Sequence, residues 1–199
     1  MSIVIVDTGV ANLASVQFAF ERLGVKSRIS DKANVIAAAD RVLIPGVGAA
    51  PFAIQKINQK GLTPILKSLS QPVMGICLGM QLIFETLEEG GMPIKGLGLV
   101  PGTVSNLDTR GQPSPHMGWN TLKSVKSDPI LYGINDNDYA YFVHSYAAKL
   151  SDITVASSDY GTEFSAIVRH ENVYGCQFHP ERSSQVGAKI LENFLKVPA

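Results

Sequence analysis

Cysteine is scarce in this sequence: Cys77 and Cys176 are the only two in 199 residues, too few for a disulfide framework. That scarcity suits a reducing compartment, and a cytoplasmic location is the expectation. An excess of either charge is also missing, since 17 basic side chains balance 17 acidic ones. Nothing in that balance steers the chain to nucleic acid or an anionic membrane, so a small molecule or another protein is the expected partner. No apolar run approaches the ~20 residues that a membrane-spanning helix needs. The opening segment Met1–Asp7 has no basic stretch before its short apolar run, so it reads as a strand rather than a signal peptide. Repeats and low-complexity tracts are absent. No close pair of cysteines or histidines has ligand spacing, so no metal site is expected.

What is present is alternation. In the first half, short apolar runs (Ile3–Val6, Lys26–Ser30, Arg41–Ile44, Pro72–Ile76) alternate with helical patterns. Asn12 is placed to cap a helix with Leu13, Val16, Phe20 and Leu23 on one face and Gly24 at its end. Further helices are predicted at 50–60, 62–70 and 78–87. Such alternation implies crossovers and a mostly parallel sheet with helices on both faces. The second half reads as strands at 96–107, 119–125, 139–149, 154–157, 164–169 and 173–178, with a polar loop at 106–115 and a last helix at 184–195. The expected architecture is one α/β domain over residues 1–199 with an antiparallel extension in its second half.

Gly75-Ile76-Cys77-Leu78-Gly79 stands where a strand meets a helix, and Gly-x-Cys-x-Gly is the thiol form of a nucleophile elbow. A tight turn of this kind needs small flanking residues. It lifts the sulfur above the sheet and aims a helix N-terminus at it, favouring thiolate over a thiol whose free pKa is ~8.5. The same amides can hold an oxyanion. A buried cysteine that merely fills a strand end is the bland alternative, and Cys176, which lacks the elbow spacing Gly-x-Cys-x-Gly, fits it.

Late in the chain comes Phe178-His179-Pro180-Glu181. Residues two apart in an extended segment face one side, so Glu181 can fix the tautomer of His179. The imidazole can then take the thiol proton and hand it to a leaving group. His170 beside Glu171 reads as an ordinary surface histidine. The turn Pro45-Gly46-Val47-Gly48 lets backbone approach a ligand, although Gly-x-Gly alone is weak and lacks a phosphate fingerprint.

The turn Pro45–Gly48, the segment Gly75–Gln81 and the segment Phe178–Glu181, in this order, resemble the class I, or triad-type, glutamine amidotransferases. Asp7–Leu13, Pro115–Asn120 and Tyr141–Tyr146 narrow the resemblance to the glutaminase subunits of imidazole glycerol phosphate synthase, over essentially the whole chain. The resemblance implies a flavodoxin-like fold, hydrolysis of L-glutamine through a Cys77 thioester, and no cofactor. It implies an oxyanion hole at Val47, Gly48 and Leu78, with a peptide turn near Val47 as a switch. Gly48, Gln81, Ser145 and Tyr146 are the implied substrate contacts. Ammonia would pass to a (β/α)₈-barrel cyclase subunit in a heterodimer serving histidine biosynthesis. Its docking face is expected at Asn12, His116, Met117, Trp119, Asn120 and Arg182, a core placement being the alternative for Trp119. Many members carry glycine where Ala11 stands and lysine where Arg182 stands, differences that touch the docking face and not the triad. The rival readings are a glutaminase feeding another synthase, a free-standing γ-glutamyl hydrolase and a non-catalytic regulatory subunit.

Overall fold

Alternate residues of each central strand serve two separate cores. Ile3, Ile5, Leu43, Met74 and Ile76 face one layer, where they meet Val16, Ala19 and Phe20 of helix Leu13–Arg22 and Ile190, Leu191 and Phe194 of helix Ser184–Phe194. Val4, Val6, Val42, Ile44 and Val73 face the other, against Ala50, Ala53 and Ile57 of helix Ala50–Gln59. Side chains alternate across a strand, so apolar residues at every position mean a sheet covered on both faces. This is seen in a computed structural model that describes residues 1–198.

The main sheet has eight strands in the order Ser27–Ser30, Ile3–Val6, Arg41–Gly46, Val73–Cys77, Val173–Cys176, Thr162–His170, Thr154–Tyr160 and Lys123–Ser124. The first five are parallel and the rest antiparallel. Val73–Cys77 therefore lies between Arg41–Gly46 and Val173–Cys176, and all three point their C-terminal ends at one edge. Ligand crevices of open parallel sheets form outside such ends. Two smaller pieces cover that edge: a ribbon pairing His116–Thr121 with Tyr139–His144, and a sheet in the order Tyr146–Ala148, Val100–Asn106, Phe84–Glu89 and Met92–Lys95. Among the described residues no helix is long and apolar enough to cross a membrane.

Several expected elements change. The helix predicted to run to Leu87 ends at Leu82, and Phe84–Glu89 is a strand. Gly90 and Gly91, at φ of 74° and 80°, turn it into a hairpin with Met92–Lys95, and pairing with Val100–Asn106 completes its ladder. Tertiary pairing here outweighs helical spacing. The run at 139–149 breaks at Ser145 into strands of different sheets, and 119–125 divides the same way. Helix Ala33–Ala37 and the 3₁₀ turn Pro129–Leu131 were not anticipated.

Candidate active site

The Gly-x-Cys-x-Gly turn is built on contacts that leave no room for a Cβ. One added at Gly79 would sit 1.7 Å from the Ile44 carbonyl oxygen, and one at Gly75 would sit 2.6 Å from the Gly79 carbonyl oxygen. The helix after Cys77 therefore crosses directly over the neighbouring strand. Cys77 itself takes φ 53°, ψ −113°, a conformation uncommon for a residue with a side chain and characteristic of strained functional positions. The turn leaves the sulfur at the sheet edge, 3.7 Å from the Val143 carbonyl oxygen. The helix is only Leu78–Leu82, five residues, so its macrodipole is small. What it offers is local: the Leu78 N–H belongs to the first turn and has no partner inside the helix.

His179 lies just past the next parallel strand, which ends at Cys176. Its backbone is pinned by the ribbon, with its N–H donating to the Tyr141 carbonyl at 2.9 Å. Ser183 locks the same junction. Its hydroxyl donates to the His179 carbonyl at 2.7 Å and accepts from the Tyr141 N–H at 2.9 Å. Ser183 is fully buried and sequence reasoning missed it, since a serine next to a predicted helix looks like a cap. The imidazole Nδ1 meets Glu181 Oε1 at 2.8 Å, and the Glu181 carboxylate is almost fully buried. The expected proximity is present, but its cause is different. Pro180–Arg182 is a 3₁₀ turn that folds Glu181 back, rather than an extended segment with two residues on one side.

Burial alone would lower the pKa of His179, but hydrogen bonds to Cys77 and Glu181 and the negative charge on both outweigh it, and the pKa is pushed up to about 10. An imidazole in this setting is an acid ready to donate to a leaving amine. The raised value also sets a sign. The imidazolium contributes stability that is complete below the ordinary histidine value of 6.5 and lost as pH rises through about 10. Glu181→Gln removes the carboxylate that faces Nδ1. The titration of His179, followed by NMR of its ring Cε1–H, is expected to move to lower pH in this variant. An unchanged titration would remove Glu181 from the pair.

A cavity of about 340 Å³ brings these groups together: Val47, Gly48, Cys77, Leu78, Gln81, Ser145, Tyr146 and His179 all line it. Glu89 and Pro115 also line it and were not anticipated. Glu89 was hidden because its segment reads as helix, and the hairpin alone brings it to the cavity. Gln81 is held by its Nε2, which donates to the Tyr146 carbonyl at 2.9 Å and to Gln177 Oε1 at 3.1 Å. A larger groove of about 840 Å³, along residues 124–134 and the C-terminal helix, contains no cysteine or histidine.

At the turn expected to act as a switch, the Val47 N–H donates to the Val10 carbonyl at 2.8 Å and is turned away. Gly48, at φ 90°, carries the bend that makes this possible. His116 was expected on the docking face, but it is 2% exposed and lies beneath it. The other residues of that set fit better. Met117 and Trp119 are 63% and 52% exposed, which excludes a core placement for the tryptophan. Arg182 and Asn12 are exposed, Asn12 also capping its helix by accepting from the Ser15 N–H at 3.3 Å, and Asn120 is half-buried. Among the described residues no cluster of histidine, cysteine or carboxylate side chains suits a metal ion.

Comparison with known proteins adds three findings. The family model described as glutamine amidotransferase class-I matches residues 4–197. The imidazole glycerol phosphate synthase subunit HisH of Haemophilus influenzae is 48% identical over 100% of this chain and 99% of its own length. That of Colwellia psychrerythraea is 48% identical over 98% of this chain and 92% of its own length. Among solved structures, PurLQS from Thermotoga maritima superposes with a TM-score of 0.73 at 20% identity, covering 98% of this chain and 97% of that one. A glutamine amidotransferase from the same organism gives 0.61 at 15% identity, covering 98% and 84%. At such identities the structural likeness shows the fold alone.

Proposed function

Because this chain belongs to the class-I glutamine amidotransferase family, we propose that it is the glutaminase subunit of an imidazole glycerol phosphate synthase, with Cys77, His179 and Glu181 as its triad. The observation that carries the assignment is the single cavity in which Cys77 and His179 face Gly48, Gln81, Ser145 and Tyr146. Residues 1–199 are read as one amidotransferase domain, supported by a continuous main sheet that uses strands from both halves of the chain.

The Cys77 thiolate attacks the side-chain amide carbon of glutamine. The C–N bond breaks as His179 gives its proton to the departing nitrogen, releasing ammonia and leaving a glutamyl thioester. His179, now neutral, takes a proton from water. The hydroxide so formed attacks the thioester, releases glutamate and restores the sulfur. The Leu78 N–H holds the oxyanion in both steps. The second donor is the Val47 N–H, which must first leave the Val10 carbonyl. The amide in its present orientation therefore describes a resting state, and the turn Pro45–Gly48 is the switch that a partner would throw.

Free ammonia in water is protonated and lost as a nucleophile, which is the physical reason for a synthase docked over the cavity. A cyclase subunit with a (β/α)₈ barrel is the proposed partner, seated on Trp119, Met117, Asn120, Asn12 and Arg182. The test is glutamine hydrolysis with and without the cyclase and its nucleotide ligand. Hydrolysis is expected to be slow alone and to rise with both present. Full activity of the isolated chain would favour a free-standing hydrolase, and no activity under any condition would favour a regulatory subunit.

Trp119 offers a second check. It packs edge-on against Tyr141 at 5.8 Å between ring centroids and is 52% exposed. As an interface anchor it is expected to cost the complex about 2 kcal/mol or more when truncated, roughly a thirtyfold loss of affinity. Trp119→Ala should leave the melting temperature of the free chain nearly unchanged. A sharply lower melting temperature with intact cyclase affinity would sink the anchor reading.

A further inference from the structure

Two histidines that the amidase chemistry leaves unused sit beside the cavity, His116 at 2% and His144 at 5% exposure. They face each other across the ribbon, with His116 Nδ1 and His144 Nε2 3.0 Å apart. The positions of their hydrogens follow from their neighbours. His144 Nδ1 lies 2.9 Å from the Tyr146 carbonyl oxygen, which can only accept, so Nδ1 carries the hydrogen. Burial lowers the pKa of His144 to about 3 and that of His116 to about 4, so both rings are neutral at working pH. The bare Nε2 of His144 must then accept from the Nδ1–H of His116. His116 Nε2, in turn bare, accepts from the side-chain amide of Asn120 at 3.3 Å.

Asn120 cannot flip. Its Nδ2 also donates to the Asp159 carbonyl at 2.7 Å, and its Oδ1 accepts from the Thr121 N–H at 2.8 Å. The His116 ring is clamped between Tyr160 and Phe142, at centroid distances of 4.1 Å and 5.0 Å and nearly parallel to both. Every donor in the string points the same way, from Asn120 towards Tyr146. The Tyr146 carbonyl is also the acceptor that holds Gln81 Nε2. Moving the hydrogen of either ring to its other nitrogen would set lone pair against lone pair at one link and leave a hydrogen without an acceptor at another.

We propose that His116 and His144 are positioning residues for glutamine. On this assignment, the one-way string Asn120–His116–His144 fixes the Tyr146 carbonyl and, through it, the Gln81 side chain in the orientation the substrate needs. The inference rests on the glutaminase reading above. Its outer end lies on the strand that exposes Met117 and Trp119, so the glutamine seat and the proposed docking face share one hydrogen-bonded element.

The test combines kinetics in the complex with the cyclase and ring ¹⁵N NMR of the full chain. His144→Leu is expected to raise KM for glutamine about tenfold or more, the effect of leaving one buried acceptor short of its donor, while kcat changes less than threefold. His144→Asn, whose amide can stand where Nδ1 stood, should restore most of the loss. His116→Phe keeps the ring stack but removes the donor to His144, and an intermediate rise in KM is expected. NMR should find both histidines neutral at pH 7 with the hydrogen on Nδ1. A structural role would instead lower kcat with the active fraction and leave KM alone. An unchanged KM in His144→Leu, or a hydrogen on Nε2 of His144, overturns the proposal. If the parent complex does not hydrolyse glutamine, the glutaminase reading fails and the seat assignment with it; the NMR result tests the string itself either way.

Discussion

Cys77→Ala is expected to reduce glutamine hydrolysis by about a thousandfold or more, since removing a nucleophile from residues that act as a unit costs nearly the whole effect of the unit. Synthesis by the partner should continue at the parental rate when ammonia is supplied, because the partner's step needs only the free amine. Cys176→Ala provides the control. Cys176 is fully buried in its strand, 3.8 Å from the Gly75 carbonyl oxygen, and burial pushes its thiol well above the usual range. It has neither a basic neighbour nor a route to substrate, so its variant should keep most of the activity. The comparison is read by glutamate release under single-turnover conditions. Glutamate release by Cys77→Ala at the parental rate would end the thioester mechanism.

Gly79→Ala is expected to damage the fold as well as the site. The new methyl would fall 1.7 Å from the Ile44 carbonyl oxygen, a backbone atom that no side-chain rotation can move aside. Relief requires the helix after Cys77 to move off strand Arg41–Gly46, which separates the nucleophile from the turn that follows that strand. Overpacking of this kind costs about 1–3 kcal/mol or more, and 3 kcal/mol corresponds to a fall in melting temperature of roughly 6–12 °C for a chain of this size. Gly48→Ala is the instructive contrast. A Cβ there meets nothing within 4 Å, and only the φ of 90° opposes it. That variant should melt close to the parent and show its defect in turnover, because the bend at the switch is what it disturbs. A Gly79→Ala chain that melts within about 2 °C of the parent would mean that the close crossing at the elbow is not rigid.

The proposed triad was legible in the sequence because each member carries a local signature. Cys77 lies between glycines at a strand end, and His179 and Glu181 flank a proline after a late strand. The parallel half of the sheet was legible for a related reason, as fully apolar runs such as Ile3–Val6 admit few other readings. Long-range pairing was not legible. Nothing within Phe84–Glu89 announces a strand, and its conformation is decided by residues 92–106. Glu89 was lost with it. His116 and Trp119 sit three positions apart in one motif and were grouped together, yet the ribbon turns the first inward and the second outward. The direction of the Val47 amide lay beyond any sequence pattern, because it is decided by one hydrogen bond to a loop 37 positions earlier in the chain, at Val10.

The place of strand Val173–Cys176 governs when the enzyme comes into being. It is the last strand made, and it is inserted between Val73–Cys77 and Thr162–His170, joining the parallel and antiparallel halves. Until it arrives, the strand that carries Cys77 has an open edge on that side, and the segment bearing His179 has not yet been made. A nascent chain therefore holds Cys77 for about half of its synthesis before His179 can join it. Contacts this distant in sequence form late and slowly. The delay leaves incomplete chains with an unpaired edge that a ribosome-associated chaperone would be expected to cover.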